Sequence, residues 1–151
     1  MKTEKFNKNY HNNEFNYLIS KLSDRKRSIM DIDCFISKIN CANSFMIDHK
    51  KNNDTISPNT LRQLSKFVDV KLQDKSKIKC FILRSDIDTD KNKTVTYSIV
   101  YEIENFNKVK NKKEKSDYIK SKFIIRNDND LRDFFKPETH EKTKLKLQNQ
   151  L

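Results

Sequence analysis

The residues best suited to chemistry lie in one stretch, 30–51, with the sequence MDIDCFISKINCANSFMIDHKK. Its apolar runs predict two short strands, 30–39 and 44–50, joined by a turn at 40–43 where asparagine substitutes for the glycine that a tight turn favours. Residues two apart in a strand share a face, so Asp31 pairs with Asp33, and Asp48 with Lys50. A hairpin would bring the acidic end of one strand to the acidic end of the other. Two carboxylates beside one lysine can hold a hard divalent cation, Mg²⁺ or alternatively Mn²⁺, and activate a water molecule. The lysine can orient or deprotonate that water, or neutralise developing charge. Each acid taken singly also reads as an ordinary exposed strand end, and Asp31 competes with Asp33 as the first of the pair. His49 points to the opposite face and is expected to pack under a helix.

An acid on one strand and D-x-K on the next resembles the signature of the PD-(D/E)xK nuclease superfamily, which includes restriction enzymes and junction resolvases. Asp33 takes the place of the first acid, followed by the apolar Cys34, Phe35 and Ile36. Asp48-His49-Lys50 takes the place of D-x-K, 15 positions on. The match departs from the pattern in two respects: neither Pro nor Gly precedes Asp33, and the second acid is Asp where Glu is commoner. The resemblance spans residues 10–100. It implies a fold, a central mixed β-sheet of four to five strands flanked by helices in an α/β (α+β) domain. It also implies an activity, Mg²⁺-dependent hydrolysis of DNA phosphodiester bonds. Glu14, on a helix before the first strand, is implied as a further catalytic and metal-site residue, although an acid there also suits the helix N-terminus. Gln63, on the helix after the second strand, is implied as a catalytic polar residue, although it also reads as a plain exposed side chain.

The elements that must position these residues follow from periodicity. Phe15, Leu18, Ile19 and Leu22 form one face of a helix over 12–22, capped by Asn12 or Asn13. Ser57-Pro58 is a helix start, with Ser as N-cap and Pro in the first turn, and the stripe Leu61, Leu64, Phe67, Val68 and Leu72 predicts a helix over 58–71. Strands are expected at 79–84, 94–103 and 118–126, with an acidic turn over 86–93 that lacks the glycine and closing Glu of a calcium loop. A short helix over 131–135 should follow Asn129 or Asp130 and end at Pro137. Residues 1–11 read as a flexible N-terminus, 12–137 as a single domain and 138–151 as a polar tail, or a partial helix, whose leucines are too sparse for a core.

Bulk properties bound the partners. The net charge is +11 in a chain of 151 residues, which favours a polyanion, nucleic acid first. Abundant Lys, Asn and Ile without glycine also fits AT-rich coding, so part of that charge has a second explanation. Arg25, Lys26, Arg27, Lys51 and Arg62 are candidate phosphate contacts, and the lysine-rich run 107–115 reads as a mobile loop, a nucleic-acid contact or a merely solvated segment. With no glycine in the chain, no Gly-rich phosphate loop is possible, which argues against a P-loop or Rossmann enzyme. The three cysteines are odd in number and lack metal-ligand spacing. Cys34 and Cys80 are expected as buried thiols, in a cytoplasmic, reducing setting. His11 and His140 sit in polar sequence without a cluster. No apolar run has the length to span a bilayer, so no membrane partner is expected. Two functions stand from different classes: a metal-dependent endonuclease acting on DNA, with RNA left open and a homodimer able to cut both strands, or a basic nucleic-acid-binding or inhibitor protein with the same fold that does not cleave.

Overall fold

The computed structural model describes residues 32–51, 54–87 and 95–149. The expected helix over 12–22, the flexible 1–11, and the candidates Glu14, Arg25, Lys26, Arg27, Asp31 and His11 lie outside these residues. The described chain is α+β: a five-stranded mixed sheet flanked by three helices. In chain order these are β1 (Cys34–Ile36), β2 (Asn43–Lys50), α1 (Pro58–Phe67), β3 (Lys77–Ile87), β4 (Val95–Ile103), β5 (Ile119–Ile125), α2 (Asp128–Phe134) and α3 (His140–Gln148). Two 3₁₀ turns, Phe106–Lys108 and Lys115–Tyr118, lie between β4 and β5. The strands stand side by side in sequence order. All neighbours are antiparallel except β2 and β3, which run parallel. Parallel neighbours need a crossover, and α1 supplies it.

Local chemistry explains most elements. Ser57 accepts a hydrogen bond from the Asn59 amide at 3.2 Å and Pro58 opens α1, as the cap preference requires. Asn40 turns the β1–β2 hairpin at φ 65°, a left-handed conformation that Asn tolerates better than most residues. Asn127 caps α2 by accepting from the Asp130 amide at 2.8 Å, so the helix starts one residue after Asn127 and not after Asn129 or Asp130.

The alternation of each strand sorts its side chains into two layers. Phe45 and Ile47 of β2, Phe81 of β3, Val100 of β4, and Phe123 and Ile125 of β5 form one core with Phe134, Phe135 and Leu147. Its rings meet edge to face, with Phe81 and Phe134 centroids 5.5 Å apart and Phe45 and Phe81 5.7 Å apart, the favoured aromatic geometry. On the other face, α1 buries Leu61 and Leu64 and contacts β3, β4 and both 3₁₀ turns.

Several expectations need correction. β1 is only three residues long, because Ile39 at its far end is 81% exposed and has nothing to pack against. Helix α1 stops at Phe67, short of the expected 71. Asp69 takes φ 67°, its amide bonds the Ile78 carbonyl, and its carboxylate is taken by Lys79 at 2.9 Å and by Asn105. These tertiary bonds outweigh the local apolar stripe. β3 extends from Lys77 to Ile87, beyond the expected 79–84 and into the acidic segment. The run 107–115 is less bare than its composition implies: Val109 is buried, and the Lys112 ammonium lies 4.0 Å from the centre of the Phe106 ring. Of the two readings of 138–151, the helical one holds, over His140–Gln148, but the helix joins the core. It packs through His140, Thr143 and Leu147, two of which are polar by type. His140 is therefore not in polar surroundings: its ring lies 4.7 Å from that of Phe45 and 4.8 Å from that of Phe134. Burial holds its pKa below the usual histidine value, and Nδ1 donates to the Phe134 carbonyl. Among the described residues, no helix is long and apolar enough to cross a membrane.

Candidate functional site

The hairpin β1–β2 places the two acids opposite one another. Its antiparallel register pairs Cys34 with Ile47 and Ile36 with Phe45. Continued by one residue, it sets Asp33 across from Asp48, on the same face of the sheet. Asp33 is fixed by the backbone: its Oδ2 accepts from the His49 amide at 2.7 Å. Burial, followed by the neighbouring Asp33 carboxyl, raises the Asp48 pKa from 3.8 to about 6, opposed by Lys50. Asp48 is 5% exposed, so the desolvation cause is direct. The Lys50 Nζ stands 3.6 Å from Asp48 Oδ2, on the same face two residues along. Asp33, Asp48 and Lys50 are thus gathered into one site at the end of β2.

The donor set fits a hard divalent cation. Mg²⁺ takes oxygen ligands and is ordinarily held by one or two carboxylates, its other positions going to water and substrate phosphate. The adjacent carboxyls of Asp33 and Asp48 supply such oxygens. Among the described residues, no third His, Cys, Asp or Glu joins them in a metal-binding cluster.

The remaining candidates are less concentrated. Gln63 donates to Asn59 at 3.4 Å, one turn back along α1, and not to the carboxylates. Arg62 directs Nε to the Tyr118 hydroxyl at 3.4 Å, which ties α1 to the chain before β5; its role is at least partly structural. Lys51 is exposed beyond the end of β2. His49 faces away from the acids as expected, yet it is exposed and not under a helix, its Nε2 meeting Ser85 Oγ at 2.9 Å. Cys80 is buried, and burial pushes its thiol up to about 12. Cys34 is exposed, on the edge strand of the described sheet.

One residue of the site was not anticipated. Arg84 lies on β3 directly beside Lys50 in the parallel register, on the face that carries Asp48. The signal was present: in the strand KCFILR, Cys80, Ile82 and Arg84 share a face, and a parallel neighbour would bring the last of them to the lysine. Arg84 Nη2 donates to the Asp54 carbonyl at 2.7 Å.

Comparisons of the chain with protein-family models, with curated proteins and with solved structures found no match.

Proposed function

We propose that this chain is a metal-dependent nuclease of the PD-(D/E)xK type, hydrolysing phosphodiester bonds in DNA. One observation carries the reading: two like-charged side chains, Asp33 and Asp48, are held face to face at a strand end, with Lys50 3.6 Å from the second. Juxtaposed carboxylates repel when both ionise, so such a pair is costly to keep without a cation to occupy it. Perturbed acids of this kind concentrate at functional sites.

In this reading Asp33 and Asp48 hold Mg²⁺ or Mn²⁺. When bound, such an ion stabilises the charge of a phosphorane-like transition state and acidifies a coordinated water. The rest is the work of side chains. The His49 amide, donating to Oδ2, holds the Asp33 carboxyl in place. Lys50 places a cationic group beside the reacting phosphate, where it orients the attacking water and offsets the developing negative charge. The charge of +11 draws the DNA backbone to the protein through counterion release. A homodimer would present two such sites to the two strands.

Plasmid nicking tests the reading. Supercoiled DNA incubated with the chain should be converted to the open-circular form with Mg²⁺ or Mn²⁺ and remain supercoiled in EDTA. Affinity for DNA that falls steeply with salt, without metal-dependent nicking of any substrate, would leave the non-cleaving binding or inhibitor protein in its place.

A further inference from the structure

One strand over from Lys50, on the same face of the sheet, lies a cavity of about 380 Å³, whose wall includes Arg84, Lys115, Tyr101, Thr55, Ile56 and Ile119. We propose that it binds one nucleotide unit of the bound strand, its phosphate on Arg84 and Lys115 and its nucleoside against Tyr101, Ile56 and Ile119. This rests on the nuclease reading for the identity of the ligand, and on the cavity itself for the site.

Four observations support it. First, place: Arg84 is the register neighbour of Lys50, and adjacent strands are about 4.8 Å apart, so a strand whose scissile phosphate met Lys50 would run on to Arg84. The cavity also adjoins the carboxyl ends of the parallel pair β2 and β3, where open α/β sheets ordinarily take ligands. Second, an unmet donor: among the described residues, the buried Arg84 Nε has no hydrogen-bond partner. A buried guanidinium N–H left without an acceptor is costly, and a phosphate oxygen is the acceptor best matched to it. Third, orientation: the Asp54 carbonyl holds Nη2 at 2.7 Å, which pins the fork in place before a ligand arrives. The acid of this rim, Asp54, directs Oδ2 to the Lys51 amide at 3.2 Å. Fourth, mixed walls: two cationic side chains, an aromatic ring and aliphatic side chains suit a phosphate joined to a flat, partly apolar base, and the volume falls within the usual range for small-molecule sites.

The test titrates inorganic phosphate and thymidine 5′-monophosphate into the full-length chain in EDTA, followed by amide NMR. Both should shift the amides of Thr55, Ile56, Arg84, Tyr101 and Lys115, with the nucleotide binding more tightly than phosphate. Lys115→Gln and Arg84→Lys should each weaken the nucleotide by about tenfold, the scale of one charge-assisted hydrogen bond. Arg84→Lys keeps the charge and Lys115 lies on an exposed turn, so both should preserve the parent spectrum away from the cavity. Shifts confined to the lysine-rich 107–113, or binding unchanged in both variants, would overturn the proposal. Asp48→Asn distinguishes the two levels. It should abolish nicking and leave nucleotide binding in the cavity intact. A parent that binds the nucleotide there but never nicks DNA would refute the nuclease reading and keep the site; a parent that nicks DNA without binding the nucleotide would do the reverse.

Discussion

The two faces of the sheet treat charge in opposite ways. On the face covered by α2 and α3, the buried ionisable groups have partners of opposite character, although the buried Ser98 Oγ has no hydrogen-bond partner among the described residues. Glu102 is 2% exposed, and the Lys144 ammonium lies 2.9 Å from its Oε1. The oxygen makes no well-directed hydrogen bond, so that contact is chiefly Coulombic. His140 is buried neutral against a carbonyl. On the other face, at the end of the same strand β2, Asp48 meets another carboxyl, and its nearest lysine is 3.6 Å away. Arg84 Nε on that face has no acceptor among the described residues. The difference is one of charge: the buried acid of the first face has a cation at 2.9 Å, while that of the second has a carboxyl for a neighbour and its lysine at 3.6 Å, the pattern of a site more than of a core.

If this division is right, mutations on the two faces should have different signatures. The largest stability effect belongs to the aromatic core. Phe81→Ala, at a fully buried position ringed by Phe45, Phe134 and Phe135, should cost about 3–5 kcal/mol in urea unfolding. A loss below about 1 kcal/mol would mean that this face is not the tightly packed core.

Smaller and opposite in sign is the effect at Asp48. Its pKa rises on folding from 3.8 to about 6. A carboxyl raised in this way stabilises the fold only while it is protonated. The contribution is complete below the unfolded value and is lost as pH rises through the folded value. Stability should thus decline through this group between about pH 4 and pH 6, by roughly 2–3 kcal/mol for a shift of that size. Asp48→Asn should unfold at higher urea than the parent at pH 7 and lose that advantage below about pH 4. An Asn variant less stable than the parent at pH 7 would place Asp48 among the satisfied groups.

Smaller again is the effect of cation alone. Mn²⁺ at a concentration well above its Kd should raise the melting temperature at pH 7 by a few degrees, through binding to the folded state only. The shift should vanish near pH 4, where Asp48 is protonated, and in Asp33→Asn and Asp48→Asn. An equal Mn²⁺ shift in all three proteins would move the metal elsewhere.

How much of this could be read from the sequence differs between strand and helix. The hairpin was legible because alternation and Asn-rich turns are local: β2 begins at Asn43, one residue before the expected start, and the pairing of Asp33 with Asp48 follows from its register. The start of α1 was legible through Ser57 and Pro58. Its end was not, because Asp69 is captured by Lys79 and Asn105, both distant in sequence. The packing of helix α3 was hidden for a similar reason. Its inward positions are His140, Thr143 and Leu147, while Leu145 is 62% exposed, so the visible leucine pattern did not mark the buried face. Arg84 was read as the end of a strand, since its importance depends on which strand lies beside it.

The central claim is that Asp33, Asp48 and Lys50 form a catalytic site, and Lys50 tests it most directly. Nicking of supercoiled plasmid with Mg²⁺ should fall about 10²-fold or more in Lys50→Ala, the scale of a positioned electrostatic or acid–base group. DNA affinity should barely change, because only one of 32 lysines and arginines is removed. Lys51→Ala, one residue beyond the strand, should retain nearly full activity. Equal small effects of Lys50→Ala and Lys51→Ala on nicking would contradict the account.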